Sequence, residues 1–171
     1  QMIKKHFIIA LIMLLAALSR LIPHPPNFTP LIAIALFSGF YAAHKVLIYG
    51  LPIATMLISD LFLGFYSISI FVYLSFLLIS FFGTLSKNPG AIKIIYGVLL
   101  GSVSFFIITN FGVWILGGYP RNFTGLLSCY TMAIPFFNNT LAGSFFYSTI
   151  MILCYLFCKE IYKLFRTSKM F

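Results

Sequence analysis

Asp60 and Glu160 are the only acids in this 171-residue chain. Asp60 sits in Ser59-Asp60-Leu61-Phe62-Leu63-Gly64, at the end of an apolar run. An ionisable group there is costly unless it is paired or solvated, which makes it a functional-site candidate. It either contacts a ligand or cation, or pairs with Arg20 or Arg121 and locks helix ends together. Arg121, in Tyr119-Pro120-Arg121-Asn122, carries a planar fork of donors suited to a carboxylate or phosphate. Snorkelling to lipid headgroups is the alternative. Asn110 and Trp114 are four apart, hence on one helix face. An amide beside an indole suits a flat, polar-edged organic ligand, while an interfacial aromatic belt would equally explain Trp114.

Three further groups enter the same account. His24, wedged in Pro23-His24-Pro25-Pro26, either ligates a metal or a ligand or staples its own loop with a hydrogen bond. Cys129 is a soft ligand for a metal-containing molecule or simply a buried hydrophobe. Asn139 and Thr140, which follow Pro135-Phe136-Phe137-Asn138, cap the last helix or face a ligand. No Ser-His-Asp set, HExxH, P-loop or paired carboxylates occur, so no enzyme is expected. Cys154 and Cys158 lack the spacing and partners of a zinc site and read as packing residues. No metal and no cofactor are expected.

These side chains are set in a very apolar chain. Hydrophobic residues make up 61% and charged residues 8%, against roughly 25% charged in a soluble domain. Apolar runs follow one another with short breaks, as in a polytopic helical membrane protein. The net charge of +9 would suit nucleic acid, but the cations stand at the ends of apolar runs, as the positive-inside rule expects. No basic stripe interleaves with aromatics, so no nucleic acid partner is expected. Gln1 ahead of Met2 reads as a remnant before an initiator methionine. The apolar run after Lys4 and Lys5 ends in prolines rather than a small-residue cleavage site, and reads as a retained first helix.

The pattern predicts six helices in one transmembrane domain spanning 1–171: 7–22, 31–43, 46–63, 68–82, 94–116 and 141–157. With both termini in the cytoplasm, Lys4, Lys5, Lys45, Lys87, Lys93, Lys159, Lys163, Arg166 and Lys169 lie inside, and only Arg20 and Arg121 lie outside. Three outer segments follow, about 23–30, 60–67 and 117–140, the last read as an irregular, re-entrant lid over a cavity. They gather most of the polar groups, so function is expected at the outer face, with Asp60, Asn110 and Arg121 converging on one cavity. The small-residue pairs Gly97/Gly101 and Ala35/Gly39 allow close helix packing.

Several stretches resemble a family of uncharacterised bacterial membrane proteins taken to be transport proteins. They are Arg20-Leu21-Ile22-Pro23-His24-Pro25-Pro26-Asn27-Phe28-Thr29-Pro30, Ser59 to Gly64, Thr109-Asn110-Phe111-Gly112-Val113-Trp114, Tyr119-Pro120-Arg121, and Cys129-Tyr130 through Pro135 to Leu141. That family has Asp after the glycine of helix six, where this chain has Ser144. It is in turn similar to the substrate-binding S components of energy-coupling factor (ECF) vitamin transporters, in size, six helices and outward ligand-side loops. S components that dock on the shared module show an Ala-xxx-Ala pattern in helix one, which Ala10, Ala16 and Ala17 do not give.

The resemblance implies a multi-pass protein of the bacterial cytoplasmic (inner) membrane that takes up a vitamin-like or other ring-containing nutrient. His24, Asn27, Asp60, Asn110, Arg121 and Asn139 would give polar contacts, and Trp114 and Tyr130 would stack. Its partners would be the small-molecule ligand, the lipid bilayer and an ECF-type energising module, unless it works alone. A vitamin such as cobalamin would be cargo, not a cofactor. An accessory subunit of a larger membrane complex, or a membrane enzyme acting on a lipid or a cobalt-containing cofactor, are the alternative readings.

Overall fold

The computed structural model describes the backbone of residues 2–167 and the side chains of residues 7–62 and 64–162. Gln1 and Lys169 lie outside the described residues, as do the side chains of Lys4, Lys5, Lys163 and Arg166. Six α-helices make up the described chain: α1 Met2–Leu18, α2 Leu31–Tyr41, α3 Lys45–Leu63, α4 Ser69–Thr84, α5 Ala91–Leu116 and α6 Phe123–Thr167, with a 3₁₀ turn at Ser19–Leu21 after α1. No strand occurs among the described residues.

α2 organises the bundle. All eleven of its residues are buried, and it packs against each of the other five helices. A helix apolar on every side is stable only when enclosed in this way. At 1.5 Å per residue it is about 16 Å long, roughly half the hydrocarbon thickness of a bilayer. Its neighbours run past it, so space remains beyond its N-terminal end.

Small residues let the neighbours close in. Gly39 of α2 crosses Gly83 of α4 backbone to backbone, and a Cβ on Gly39 would come within 2.6 Å of the Gly83 Cα. A Cβ on Gly97 would meet Phe40 at 3.1 Å, and one on Gly101 would meet Ile32 at 3.2 Å and Ile79 at 3.3 Å. These glycines therefore serve contacts inside the bundle.

The prolines are accommodated within it. Pro52 lies inside α3 and cannot donate to the Ile48 carbonyl four residues back. The Ser38 hydroxyl of α2 lies 2.8 Å from that carbonyl and shares its one proton between it and Ala35 O, also at 2.8 Å. The same problem, unpaired carbonyls, arises at the end of α2 and is met by Lys87. Its ammonium donates to Gly39 O at 2.6 Å and Ala42 O at 2.9 Å, a favourable place for a cation.

The last helix departs from the sequence expectation. The segment 117–140, expected to be irregular, is helical from Phe123 onward, and α6 runs 45 residues with Pro135 inside it. Only Gly117 to Asn122 forms a corner, with Gly118 at φ +82°. The Asn122 side chain accepts from the Gly125 N–H at 2.8 Å and caps the helix. Asn139 and Thr140 are mid-helix, not caps. The many Asn, Thr and Ser residues of this segment look like loop composition, yet its one true breaker stands at 118–120.

The surface matches a bilayer rather than water. Phe7, Leu15, Val46, Phe62, Ile70, Tyr96 and Phe157 are all more than half exposed. α3, α5 and α6 are long and apolar enough to cross a membrane, and three shorter apolar helices accompany them.

Candidate functional site

The space beyond the N-terminal end of α2 is a cavity of about 310 Å³. Its base is formed by Thr29, Leu31 and Ile32, and its walls by α3, α4, α5 and α6. No side chain caps the start of α2, so the partial positive charge of the helix terminus faces this space.

One wall carries both charges. The Arg20 guanidinium, presented by the 3₁₀ turn, stands 3.7 Å from the Asp60 carboxylate on α3, with the two side chains 13% and 5% exposed. Tyr73 on α4 donates its hydroxyl to the second Asp60 oxygen at 2.7 Å. Arg20 also donates to the Ser59 hydroxyl and approaches the Met56 sulfur at 3.3 Å. All of these arginine contacts use Nη1, and its Nε is buried without a partner among the described residues. The pair thus links the end of α1 to α3 and α4, and it also lines the cavity.

The facing wall is an Asn-Thr-Ser rim over phenyl rings. Asn110 on α5 donates one amide N–H to the Phe106 carbonyl at 2.8 Å. The residue itself lines the cavity, and its amide has an oxygen and a second N–H beyond that bond. Thr109, Thr140 and Ser144 donate back to carbonyls four residues earlier, at 2.7, 3.0 and 2.7 Å. This satisfies their hydroxyls while leaving acceptor capacity. Phe105, Phe106 and Phe136 supply flat apolar surface between them.

The proline-rich segment closes one side. Asn27 takes a left-handed conformation at φ +63°, and the Thr29 N–H donates to its carbonyl at 3.0 Å. Asn139 of α6 donates to Pro26 O at 3.0 Å. Phe28 packs on Phe146 and Tyr147, with ring centroids 5.6 and 5.8 Å away. A Cβ on Gly143 would meet the Phe28 Cα at 3.1 Å, so glycine is what lets this segment lie flat on α6.

Of the eight residues the sequence nominated, Asn27, Asp60 and Asn110 line the cavity together. The other five stand elsewhere. Asn139 ties the first loop from behind. His24 Nδ1–H donates to Pro25 O at 3.0 Å, the loop staple. Trp114 donates to Pro120 O at 3.0 Å and packs on Phe111. Arg121 is exposed and reaches Ile115 O at 3.4 Å. Both Trp114 and Arg121 therefore brace the α5–α6 corner. Tyr130 donates to Ile107 O at 2.6 Å and joins α6 to α5. The expected convergence of Asp60, Asn110 and Arg121 holds for the first two only, and Arg20 is the cation that meets Asp60. Cys129 is buried, its thiol 3.4 Å from Asn110 O.

Tyr73, Thr109 and Ser144 were not singled out. Arg20 was named as a partner for Asp60, as the 3.7 Å pair shows, and Thr140 as a cap or ligand contact, and it lines the cavity. The signal for Arg20 was the cost of leaving Asp60 unpaired. Phe106, one helical turn before Asn110, was readable from spacing alone. No group of three or more His, Cys, Asp or Glu occurs among the described residues.

Fold and site together define a helical membrane protein with a ligand-sized cavity built around a buried ion pair. The chain belongs to DUF6580, a family of unknown function, whose model matches residues 1–165. No curated protein and no solved structure matches it.

Proposed function

We propose that this protein is the substrate-binding component of a small-molecule uptake system in the bacterial cytoplasmic membrane. The cavity at the N-terminal end of α2 is its ligand site. The observation that carries this reading is the joining of a buried Arg20–Asp60 pair, an Asn-Thr-Ser rim and phenyl walls around about 310 Å³. Small-molecule sites have this make-up, mostly apolar with a few placed polar groups.

In this reading all six helices form an S-component-like bundle with both termini in the cytoplasm. Lys87 stands at the end of α2 opposite the cavity, and Lys45 and Lys93 begin α3 and α5 in the first turn. The positive-inside rule then turns the cavity outward. The proline-rich segment covers one side of the mouth, and the loop after α3 covers the other. The ligand is a vitamin-like or other ring-containing nutrient. At about 310 Å³ the cavity lies at the small end of ligand pockets, which suits one or two rings. The sequence has no nucleotide-binding motif, so energy comes from a partner ATPase module or from the ligand gradient with trapping inside. No catalytic step is assigned.

The test is uptake of labelled vitamins and related heterocycles by cells that express the chain, paired with Asn110→Ala and Thr109→Val. Loss of uptake in both variants at unchanged protein level supports the reading. Wild-type cells that accumulate nothing above the empty vector, together with co-purification of a stoichiometric protein partner, favour an accessory subunit instead.

A further inference from the structure

The charges of the cavity restrict the chemistry of what enters it. Arg20 and Asp60 contribute one charge of each sign, 3.7 Å apart, and among the described residues no other charged side chain lines the space. The side-chain charges of the wall therefore cancel, and only the partial positive charge at the start of α2 remains. Uncharged polar side chains, phenyl rings and alkyl groups complete it, so an added net charge would stay poorly compensated. An anion would meet the Asp60 carboxylate, and a cation would meet the Arg20 guanidinium.

The pair does not depend on a ligand for its own neutrality. Asp60 is held from its other oxygen by Tyr73 at 2.7 Å, and Arg20 by Ser59 and Met56. Both groups still have spare capacity, because a guanidinium has five donors and a carboxylate about four acceptor sites. Together they present a donor and an acceptor side by side. Asn110, on the facing wall, presents the same two functions on a single amide. Phe105 and Phe106 flank this polar strip with flat apolar surface.

We propose that the ligand is an uncharged planar ring whose edge carries a hydrogen-bond acceptor and a donor next to each other, as in an amide, lactam or ureide. Arg20 donates to its acceptor and Asp60 accepts from its donor. The inference rests on the uptake reading and narrows the ligand class of the same cavity.

Benzoate, benzamide and benzamidine test it. They share one ring and one planar substituent, and at neutral pH they carry charges of minus one, zero and plus one. Binding to the purified full chain in detergent is followed by saturation-transfer NMR and by thermal stability. Ala133→Phe, which fills the cavity, and Asn110→Leu, which removes the amide, separate binding from partition into the micelle. The expected result is benzamide binding about tenfold tighter than either charged isostere, with the signal lost in both variants. If benzoate or benzamidine binds as well or better and is lost in those variants, the neutral-edge inference is overturned while the cavity stands as a ligand site. If no probe gives a signal that either variant removes, the inference and the uptake site both fall.

Discussion

Asp60 of α3 is held from both sides, by Arg20 at 3.7 Å on one oxygen and Tyr73 at 2.7 Å on the other. Three chain segments meet at this carboxylate, and the same face borders the cavity. One device thus shapes the mouth of the bundle and polarises it. Removing one partner and removing both should therefore give different results. Asp60→Leu leaves a buried guanidinium uncompensated and should destabilise by about 3–5 kcal/mol. Arg20→Met combined with Asp60→Leu should recover most of that loss, because well-packed apolar residues replace such pairs at little cost. The melting temperature in detergent checks this. A double variant no more stable than the single one would mean that the pair is not the coupling element.

The Ser38–Ile48 hydrogen bond predicts a conditional effect. Ser38→Ala orphans the Ile48 carbonyl, because Pro52 cannot donate to it. The expected loss is about 1–3 kcal/mol. In a Pro52→Ala background the backbone N–H at 52 can take over that carbonyl, and the penalty of Ser38→Ala should shrink. A double-mutant cycle on thermal unfolding measures the coupling. Strictly additive penalties would show that the hydroxyl does not stand in for the missing backbone donor.

The Gly39–Gly83 crossing predicts intolerance to a single methyl group. A Cβ on Gly39 would lie 2.6 Å from the Gly83 Cα, with the Ser80 carbonyl also in its way. Backbone on both sides leaves nothing flexible to move, so Gly39→Ala should cost about 1–3 kcal/mol. Gly50, whose nearest such neighbour is a Val46 methyl at 3.9 Å, should accept the same change. Comparing the melting temperatures of Gly39→Ala and Gly50→Ala tests the crossing directly.

Five of the helices were legible because apolar runs and breakers agree. Prolines 23 to 30 stop α1, Gly64 ends α3 at φ +93°, and Asn88-Pro89-Gly90 precedes α5. α6 was misread at its start for the opposite reason. Its Asn, Thr and Ser residues resemble a loop by composition, but within a bundle they can donate to their own helix, as Thr131 does to Leu127 O at 2.7 Å. The shortness of α2 was legible in the range 31–43, but its central, buried place was not, because periodicity is silent when every face is apolar. At the site, Asp60 and Asn110 were legible as polar groups that need partners. Arg121 drew attention for its guanidinium, yet exposed at a corner it needs no partner, whereas Arg20 is drawn inward by the cost of an unpaired Asp60.

Asn139 and Arg121 separate the two ways in which a polar residue near the mouth can matter. Asn139 holds the Pro26 carbonyl at 3.0 Å, on the segment that brings Asn27 and Thr29 to the cavity. Phe28 and Gly143 fix the rest of that segment to α6, so Asn139→Ala should loosen the segment without unfolding the bundle. One neutral hydrogen bond contributes about 1 kcal/mol, so dissociation of a bound ligand should quicken about fivefold. Arg121→Ala removes an exposed side chain whose hydrogen bond reaches Ile115 O, 3.4 Å away at the α5–α6 corner, and dissociation should stay within twofold of wild type. Stopped-flow release of a fluorescent ligand distinguishes the two. A larger effect for Arg121→Ala than for Asn139→Ala would move the site from the end of α2 to the α5–α6 corner.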